Sequence, residues 1–399
     1  MSLSIRSRTL PIFLAFLCMG FGDAVGPFVG LAKEEFHLSN FSASLIAFAG
    51  FIMFGLLSVP IGLLQDRKTK KFTLTLGLII AALGMFIPFF TGLTSFPLFL
   101  VTILMLGAGA TIMQVAGNPI MRDVSKEGKF SRNLSMAQFV KAIGSMTGPL
   151  IPPLAARFFG ANWNVVFPVF AVSLVITVIL VSLLDAKEQK ASEKPASLKS
   201  CLSLLGNPFA LMMVTGIFLY VGAEVCISSG VPMYLKSEFG VNLKETGIMG
   251  TGLFFLALTI GRFAGGVVLN WLNPRKALLG SCILALVPMI ILLSCAKSVA
   301  VICIFIAGLG CANIFPLIFS ITVDKMPERA NELSGLMGTA IVGGAFIPPV
   351  MGFIADKTSV PVSFLVPSAA LVYIFAVAVS CLVSQKKCTS EPAESEPAV

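Results

Sequence analysis

The chain of 399 residues is 56% hydrophobic and only 12% charged, with a mean hydropathy of +0.95. A soluble protein of this length carries about 25% charged residues to cover its surface, so a soluble globular fold is excluded. The surplus of 28 Lys and Arg over 19 Asp and Glu, a net charge of +9, falls into connecting segments rather than one patch, which excludes a nucleic-acid footprint.

Apolar windows of about 20 residues, the length a helix needs to cross the hydrocarbon core, recur along the chain. They centre near residues 21, 53, 82, 108, 145, 174, 220, 256, 287, 311, 344 and 373. The first, LPIFLAFLCMGFGDAVGPFVGLAK (10–33), carries Asp23 in its middle. It is long enough to span and has no convincing cleavage site, so it reads as a helix rather than a signal peptide. Basic residues mark every second connection: Arg6 and Arg8 before the first window, Arg67, Lys68, Lys70 and Lys71 after the second, then Arg122, Lys126, Lys129 and Arg132. The pattern continues with Lys187, Lys190, Lys194 and Lys199, with Arg275 and Lys276, with Lys325 and Arg329, and with Lys386 and Lys387. By the positive-inside rule about 20 of these lie on one side against roughly six opposite, which puts both termini in the cytoplasm.

The polar stretch DAKEQKASEKPASLKS (185–200) divides the windows into two sets of six. The division predicts an N-terminal bundle over 1–184, a flexible linker over 185–206, a C-terminal bundle over 207–385 and a disordered tail over 386–399. The halves echo one another. KEEF (33–36) recurs as KSEF (236–239), GAGATIMQVAGNPIMRDV (107–124) aligns with GLGCANIFPLIFSITVDK (308–325), and GPLIPP (148–153) aligns with GAFIPP (344–349). Three matches in one order at offsets near 200 argue for duplication. The expected fold is therefore an all-α polytopic membrane protein, twelve transmembrane helices in two six-helix pseudo-repeats, the plan of alternating-access transporters.

GLLQDRKTKK (62–71), after the second window, resembles the cytoplasmic signature of the major facilitator superfamily. Gly62, Asp66, Arg67, Lys70 and Lys71 fit that pattern, while Thr69 stands where it prefers glycine. Gly62 lets two helices approach, and Asp66 can hold a helix N-terminus or an arginine across a cytoplasmic gate that breaks on opening. QVAGNPIM (114–121), RNLSMAQF (132–139), IGRFAGG (260–266) and GGAFIPPVMGFIAD (343–356) are together similar to the fucose:proton symporter family, which includes fucose and glucose/galactose permeases. That resemblance implies a sugar carried inward by cation symport, with an acid in the first helix, here Asp23, and one in the fourth taking part in coupling and sugar binding. The fourth-helix position is Gln114, and Lys141 replaces a neutral amide of the fucose-type pattern. The coupling ion expected from the resemblance is H+, with Na+ the alternative.

Four ionisable residues fall at membrane depth: Asp23, Lys141, Glu224 and Arg262. Their charges cancel, as a dehydrated site requires, and ionisable groups at this depth are functional candidates by default. Lys141 is the expected partner of Asp23, and Arg262 that of Glu224 or of a helix end in the C-terminal half; the competing reading is fixed salt bridges or polar residues resting near an interface. Gln114, Asn118, Gln138 and Asn313 supply amides able to donate to and accept from sugar hydroxyls, and Tyr220 shares a helical face with Glu224. Asn118 has an alternative use as a local cap beside Pro119.

The nine cysteines show no paired or CxxC spacing and read as small core residues. With His37 the only histidine, no metal site, nucleophile–base pair or phosphate loop is expected, and so no enzyme. The sequence reading is a secondary importer of a small sugar or sugar derivative in a bacterial inner membrane, acting as a monomer with lipid and substrate as its partners. A drug or metabolite exporter of the same fold ranks second, because efflux cavities are more aromatic and poorer in amides.

Overall fold

A computed structural model of the chain describes residues 5–23, 28, 31–32, 35–38, 40–123, 125–126, 128–183, 198–240, 252–293 and 297–390. The helices are α1 (Ile5–Met19), α2 (Asn40–Arg67), α3 (Lys70–Thr91), α4 (Phe96–Asp123), α5 (Phe130–Phe159) and α6 (Val166–Ser182), then α7 (Leu198–Ser203), α8 (Pro208–Phe239), α9 (Leu253–Val268) and α10 (Pro274–Leu292). They continue as α11 (Lys297–Cys311), α12 (Ile314–Lys325), α13 (Ala330–Ala340), α14 (Gly343–Lys357), α15 (Val360–Ser363) and α16 (Leu365–Ser390). No strand occurs among the described residues.

Among the described residues, nine helices are long and apolar enough to cross a membrane, and the windows near 21, 145 and 256 coincide with shorter apolar stretches. The exterior is apolar where a soluble protein would be polar: Phe90, Phe159, Leu56 and Ile179 are all exposed. With lipid outside, apolar burial supplies no net pull between helices, and close packing of small residues has to do so.

Glycine crossings carry out that packing. A Cβ on Gly107 would lie 2.3 Å from the Gly50 carbonyl oxygen (α4 on α2), and one on Gly109 2.6 Å from that of Gly77 (α4 on α3). Contacts about 200 residues later are of the same kind. Gly308 packs on Phe254 and Ala257 (α11 on α9), and Gly310 on Leu284 and Ala285 (α11 on α10). The N-terminal helices meet the C-terminal ones along two seams. In one, α2 meets α13 where Gly335 and Gly338 pack on Ser58; in the other, α5 meets α9 where Met136 packs on Gly266.

Basic helix ends gather at one end of the bundle. Arg122 donates to the Pro327 carbonyl (3.0 Å), Ser131 to Ser320 (2.7 Å) and Lys71 to the Ser182 carbonyl (2.8 Å). Arg329 pairs with Glu332, Lys70 with Asp123, and Lys325 sits over the Phe209 ring. Thr69, the departure from the glycine-preferring motif, has a local role: its hydroxyl accepts from Phe72 N–H and caps α3.

Several sequence expectations change. The end of the expected flexible linker is helical, as α7 and the 3-10 turn Leu204–Gly206, with Cys201 and Leu204 buried. Residues 184–197 lie outside the described residues. The last helix runs past residue 385 to Ser390, so part of the expected tail is helical; 391–399 lie outside the description. The window near 311 splits into α11 and α12, and that near 344 into α13 and α14.

Candidate functional site

α1 stops at Met19 and tightens into a 3-10 turn, Gly20–Gly22, with Asp23 as its cap. The cause is contact with α5. A Cβ on Gly20 would lie 2.1 Å from the Lys141 carbonyl oxygen, and one on Gly144 1.9 Å from that of Leu17. Only glycine allows two backbones to approach so closely. The crossing delivers Asp23 to the α5 segment just above and below Gly144.

There Asp23 Oδ2 lies 3.2 Å from Lys141 Nζ and accepts from Ser145 Oγ at 2.9 Å. The pair is mostly buried, with side-chain exposures of 24% for Asp23 and 13% for Lys141. Lys141 Nζ also donates to Gln114 Oε1 (3.3 Å), and Gln114 Nε2 to Asn118 Oδ1 (3.4 Å). A continuous polar chain, carboxylate–ammonium–amide–amide, thus runs from α1 through α5 into α4. Asn118 does not cap: Pro119 sits inside an unbroken α4. Gln138, one turn before Lys141, is buried with its Nε2 unpartnered, as is Ser135 Oγ a further turn down. A buried donor without an acceptor costs about 1–3 kcal/mol, so both are poised to gain a partner.

A second cluster forms at the break between α11 and α12. Carbonyls at a helix C-terminus lack intrahelical partners. Here Tyr220 OH donates to the Cys311 oxygen (2.7 Å) and Arg262 Nε to the Ala312 oxygen (3.4 Å). Arg262 also pairs with Glu224 Oε1 at 3.3 Å and is itself only 6% exposed. Asn313 lies in the break, not on the helix expected of it; its Nδ2 donates to the Gly261 carbonyl (2.7 Å) and its Oδ1 is unpartnered. Gly265 makes room, since a Cβ there would meet that oxygen at 2.2 Å.

Both charge pairings expected from the sequence are therefore brought together, and so are Gln114 with Asn118 and Tyr220 with the helix break. Gln138 joins neither network. At the basic end, Gly62 is buried with its Cα 3.8 Å from where a Gly335 Cβ would sit, and Arg67 is exposed. The Asp66 side chain lies outside the described residues. Ser145, Ser131 and Ser320 escaped the sequence reading. Only Ser145 left a signal, standing four residues after Lys141 and hence on the same helical face. The described residues hold no His, Cys, Asp and Glu cluster fit for a metal, and Cys18, Cys201, Cys226, Cys282, Cys303, Cys311 and Cys381 are buried and in no disulfide.

The family profile described as Major Facilitator Superfamily matches residues 12–341 and 213–398. A glucose/galactose transporter of Brucella abortus (strain 9-941) is 28% identical over 383 residues, covering 93% of this chain and 92% of the relative. The L-fucose-proton symporter of Escherichia coli K12 is 24% identical over 381 residues, 86% of each. A crystal structure of the transporter FucP in the outward conformation superposes with a TM-score of 0.78 at 22% identity, over 94% of this chain and 99% of that one. At that identity the superposition establishes the fold alone.

Proposed function

The chain belongs to the Major Facilitator Superfamily, and from that premise we propose that it imports a small sugar or sugar derivative by cation symport, H+ in preference to Na+, through alternating access of two six-helix repeats. The relatives named as glucose/galactose transporter and L-fucose-proton symporter support the substrate class. Glycine crossings about 200 residues apart support the repeat. Positive-inside bias supports a cytoplasmic basic end and cytoplasmic termini in a bacterial inner membrane, and one chain is sufficient for the cycle.

One observation carries the mechanism: the chain from Asp23 through Lys141 and Gln114 to Asn118. Neutral amides bind a sugar by offering donors and acceptors together, and Gln114 and Asn118 are the amides this chain reaches. Asp23 is the cation-coupling carboxylate. A proton on Asp23 cancels the charge that holds Lys141, and the ammonium is then left to Gln114, the amide that also meets the sugar. Cation and sugar thus act on one shared side chain, and coupling follows if the two bind outward and inward states with different affinity. Gln138, its Nε2 unpartnered one turn below, completes the sugar's hydrogen bonds, and Tyr220 and Asn313 are the candidate partners from the other half. At the cytoplasmic gate Gly62 seats α13, and Asp66 and Arg67 are the charged residues assigned to its opening and closing.

Uptake by proteoliposomes tests this reading, with neutral, amino and acidic sugars under imposed pH or Na+ gradients. Accumulation of a neutral sugar driven by the pH gradient is expected. Asp23→Asn abolishes accumulation, by about 100-fold or more if the group acts as a proton carrier, and leaves sugar exchange across the membrane in place. Accumulation that survives Asp23→Asn sinks the assignment of Asp23; accumulation driven by Na+ alone sinks the proton.

A further inference from the structure

At the basic end a cavity of ≈ 460 Å³ opens between α1, α4, α5 and the end of α9. Its apolar wall includes Ile12, Phe13 and Val267, and its polar wall is Arg132, Asn133 and Asn270. Among the described residues the Arg132 guanidinium is held by neutral oxygens: Nε and Nη2 donate to Asn133 Oδ1 at 3.1 and 2.9 Å, and Nη1 to Asn270 Oδ1 at 3.1 Å. No acid is among the described residues that line the cavity. A full positive charge therefore stands in a partly apolar cleft, and guanidinium N–H groups remain to be taken up.

The cleft's depth identifies the occupant. The apolar part of α1 begins at Leu10, so Ile12 and Phe13 lie within one turn of the water–hydrocarbon boundary. Trp271, the neighbour of Asn270, is 81% exposed, and exposed tryptophans of membrane proteins sit at headgroup level. Val267 in the cleft wall is exposed, as are its chain neighbours Val268 and Leu272 and, on α1, Leu10. A ligand in this cleft has its anionic part at Arg132 and its neighbours among lipid chains. We propose that the cleft binds an anionic phospholipid, with the headgroup phosphate on the Arg132 guanidinium and the acyl chains along α1 and the end of α9. The guanidinium fork suits phosphate geometry, and such charge-assisted bonds are the strong ones. Because Arg132 and Asn270 belong to opposite sides of the α5–α9 seam, a phosphate competing for Arg132 also makes that seam responsive to lipid composition.

The test is native mass spectrometry of the purified full chain with equal phosphatidylglycerol and phosphatidylcholine, and thermal unfolding with each lipid. Both headgroups carry the phosphate, but phosphatidylcholine sets a quaternary ammonium beside the Arg132 charge, so retention of phosphatidylglycerol over phosphatidylcholine by about tenfold is expected. Arg132→Gln removes the preference, and so does Val267→Trp, which fills the mouth while keeping the arginine. Lys276→Gln, an exposed basic residue outside the cleft, retains it. Equal retention of the two lipids, or a preference that persists in both cleft variants, overturns the proposal. Displacement of phosphatidylglycerol by equimolar inorganic phosphate or glycerol phosphate also overturns it, by assigning the cleft to a soluble anion.

Discussion

Asp23 and Glu224 stand about 200 residues apart, each just after a glycine that packs α1 or α8 on a neighbouring helix, yet they are neutralised in different ways. Asp23 faces a lysine across a glycine crossing, and the ammonium is shared with Gln114. Glu224 faces an arginine from α9 that is also bonded to the carbonyl of a broken helix. Lysine is a point charge on a flexible stem, while arginine's planar fork holds a fixed geometry. The difference teaches that matched acids need not have matched roles. On the proposed cycle the N-terminal pair changes partners, while the C-terminal pair, bonded to the Ala312 carbonyl, holds the α11–α12 break in place.

The strongest way to break this comparison is to remove each cation. Arg262→Met leaves Glu224 buried without its counter-ion and Ala312 without its donor, and is expected to destabilise the protein by about 3–5 kcal/mol. Glu224→Leu in the same chain is expected to restore much of that loss, since an apolar pair can replace a buried ion pair. Lys141→Met is expected to abolish gradient-driven uptake with a much smaller fall in thermal stability, because Asp23 keeps the Ser145 hydroxyl and is a quarter exposed. Thermal unfolding in detergent and uptake on the same preparations decide the matter. Equal stability losses for Arg262→Met and Lys141→Met would remove the distinction.

The glycine crossings give a sharper but smaller contrast. A Cβ on Gly144 would lie 1.9 Å from the Leu17 oxygen, and one on Gly343 would lie 1.9 Å from the Phe218 oxygen. Each Gly→Ala forces its helices apart, an overpacking cost of about 1–3 kcal/mol. The consequences for the ion pairs differ. Gly144 lies between Lys141 and Ser145, so widening α1–α5 moves both partners away from Asp23. The α8–α14 crossing at Gly343 presents no counter-ion to Glu224, because Arg262 comes from α9. Gly144→Ala is expected to lose coupled uptake together with stability, and Gly343→Ala to lose stability with uptake per folded molecule retained. Uptake normalised to folded protein separates the two.

What the sequence made legible follows the same line. An acid or base inside a twenty-residue apolar window stands out because such placements are expensive, and four such residues summing to zero charge already predict two pairs. The spans and the basic end are legible for a similar reason: hydropathy and Lys/Arg bias are averages over many residues. The breaks at Ala312–Asn313 and Ile341–Val342 are two-residue events inside continuous apolar runs, and hydropathy does not register them. That is why Asn313 reads from sequence as a helical residue. Ser145 was hidden because a serine in an apolar helix can satisfy itself on its own helix, and only the crossing at Gly144 brings a carboxylate to it.

The smallest expected effects test whether a single hydrogen bond follows the division between the clusters. Ser145 donates to Asp23, and Tyr220 donates to the Cys311 carbonyl. Deleting either hydroxyl removes one hydrogen bond, a change of about 0.5–1.5 kcal/mol in net terms, rising where an acceptor is left buried and unpaired. Tyr220→Phe leaves a buried helix-end carbonyl unpaired, so its effect is expected in thermal stability, with gradient-driven uptake per folded molecule unchanged. Ser145→Ala withdraws the hydroxyl that holds Asp23 beside Lys141, so its effect is expected in gradient-driven uptake, with thermal stability nearly unchanged. Coupled uptake that falls with Tyr220→Phe and stays fixed with Ser145→Ala would reverse the roles of the two clusters, making the Asp23 pair the strut.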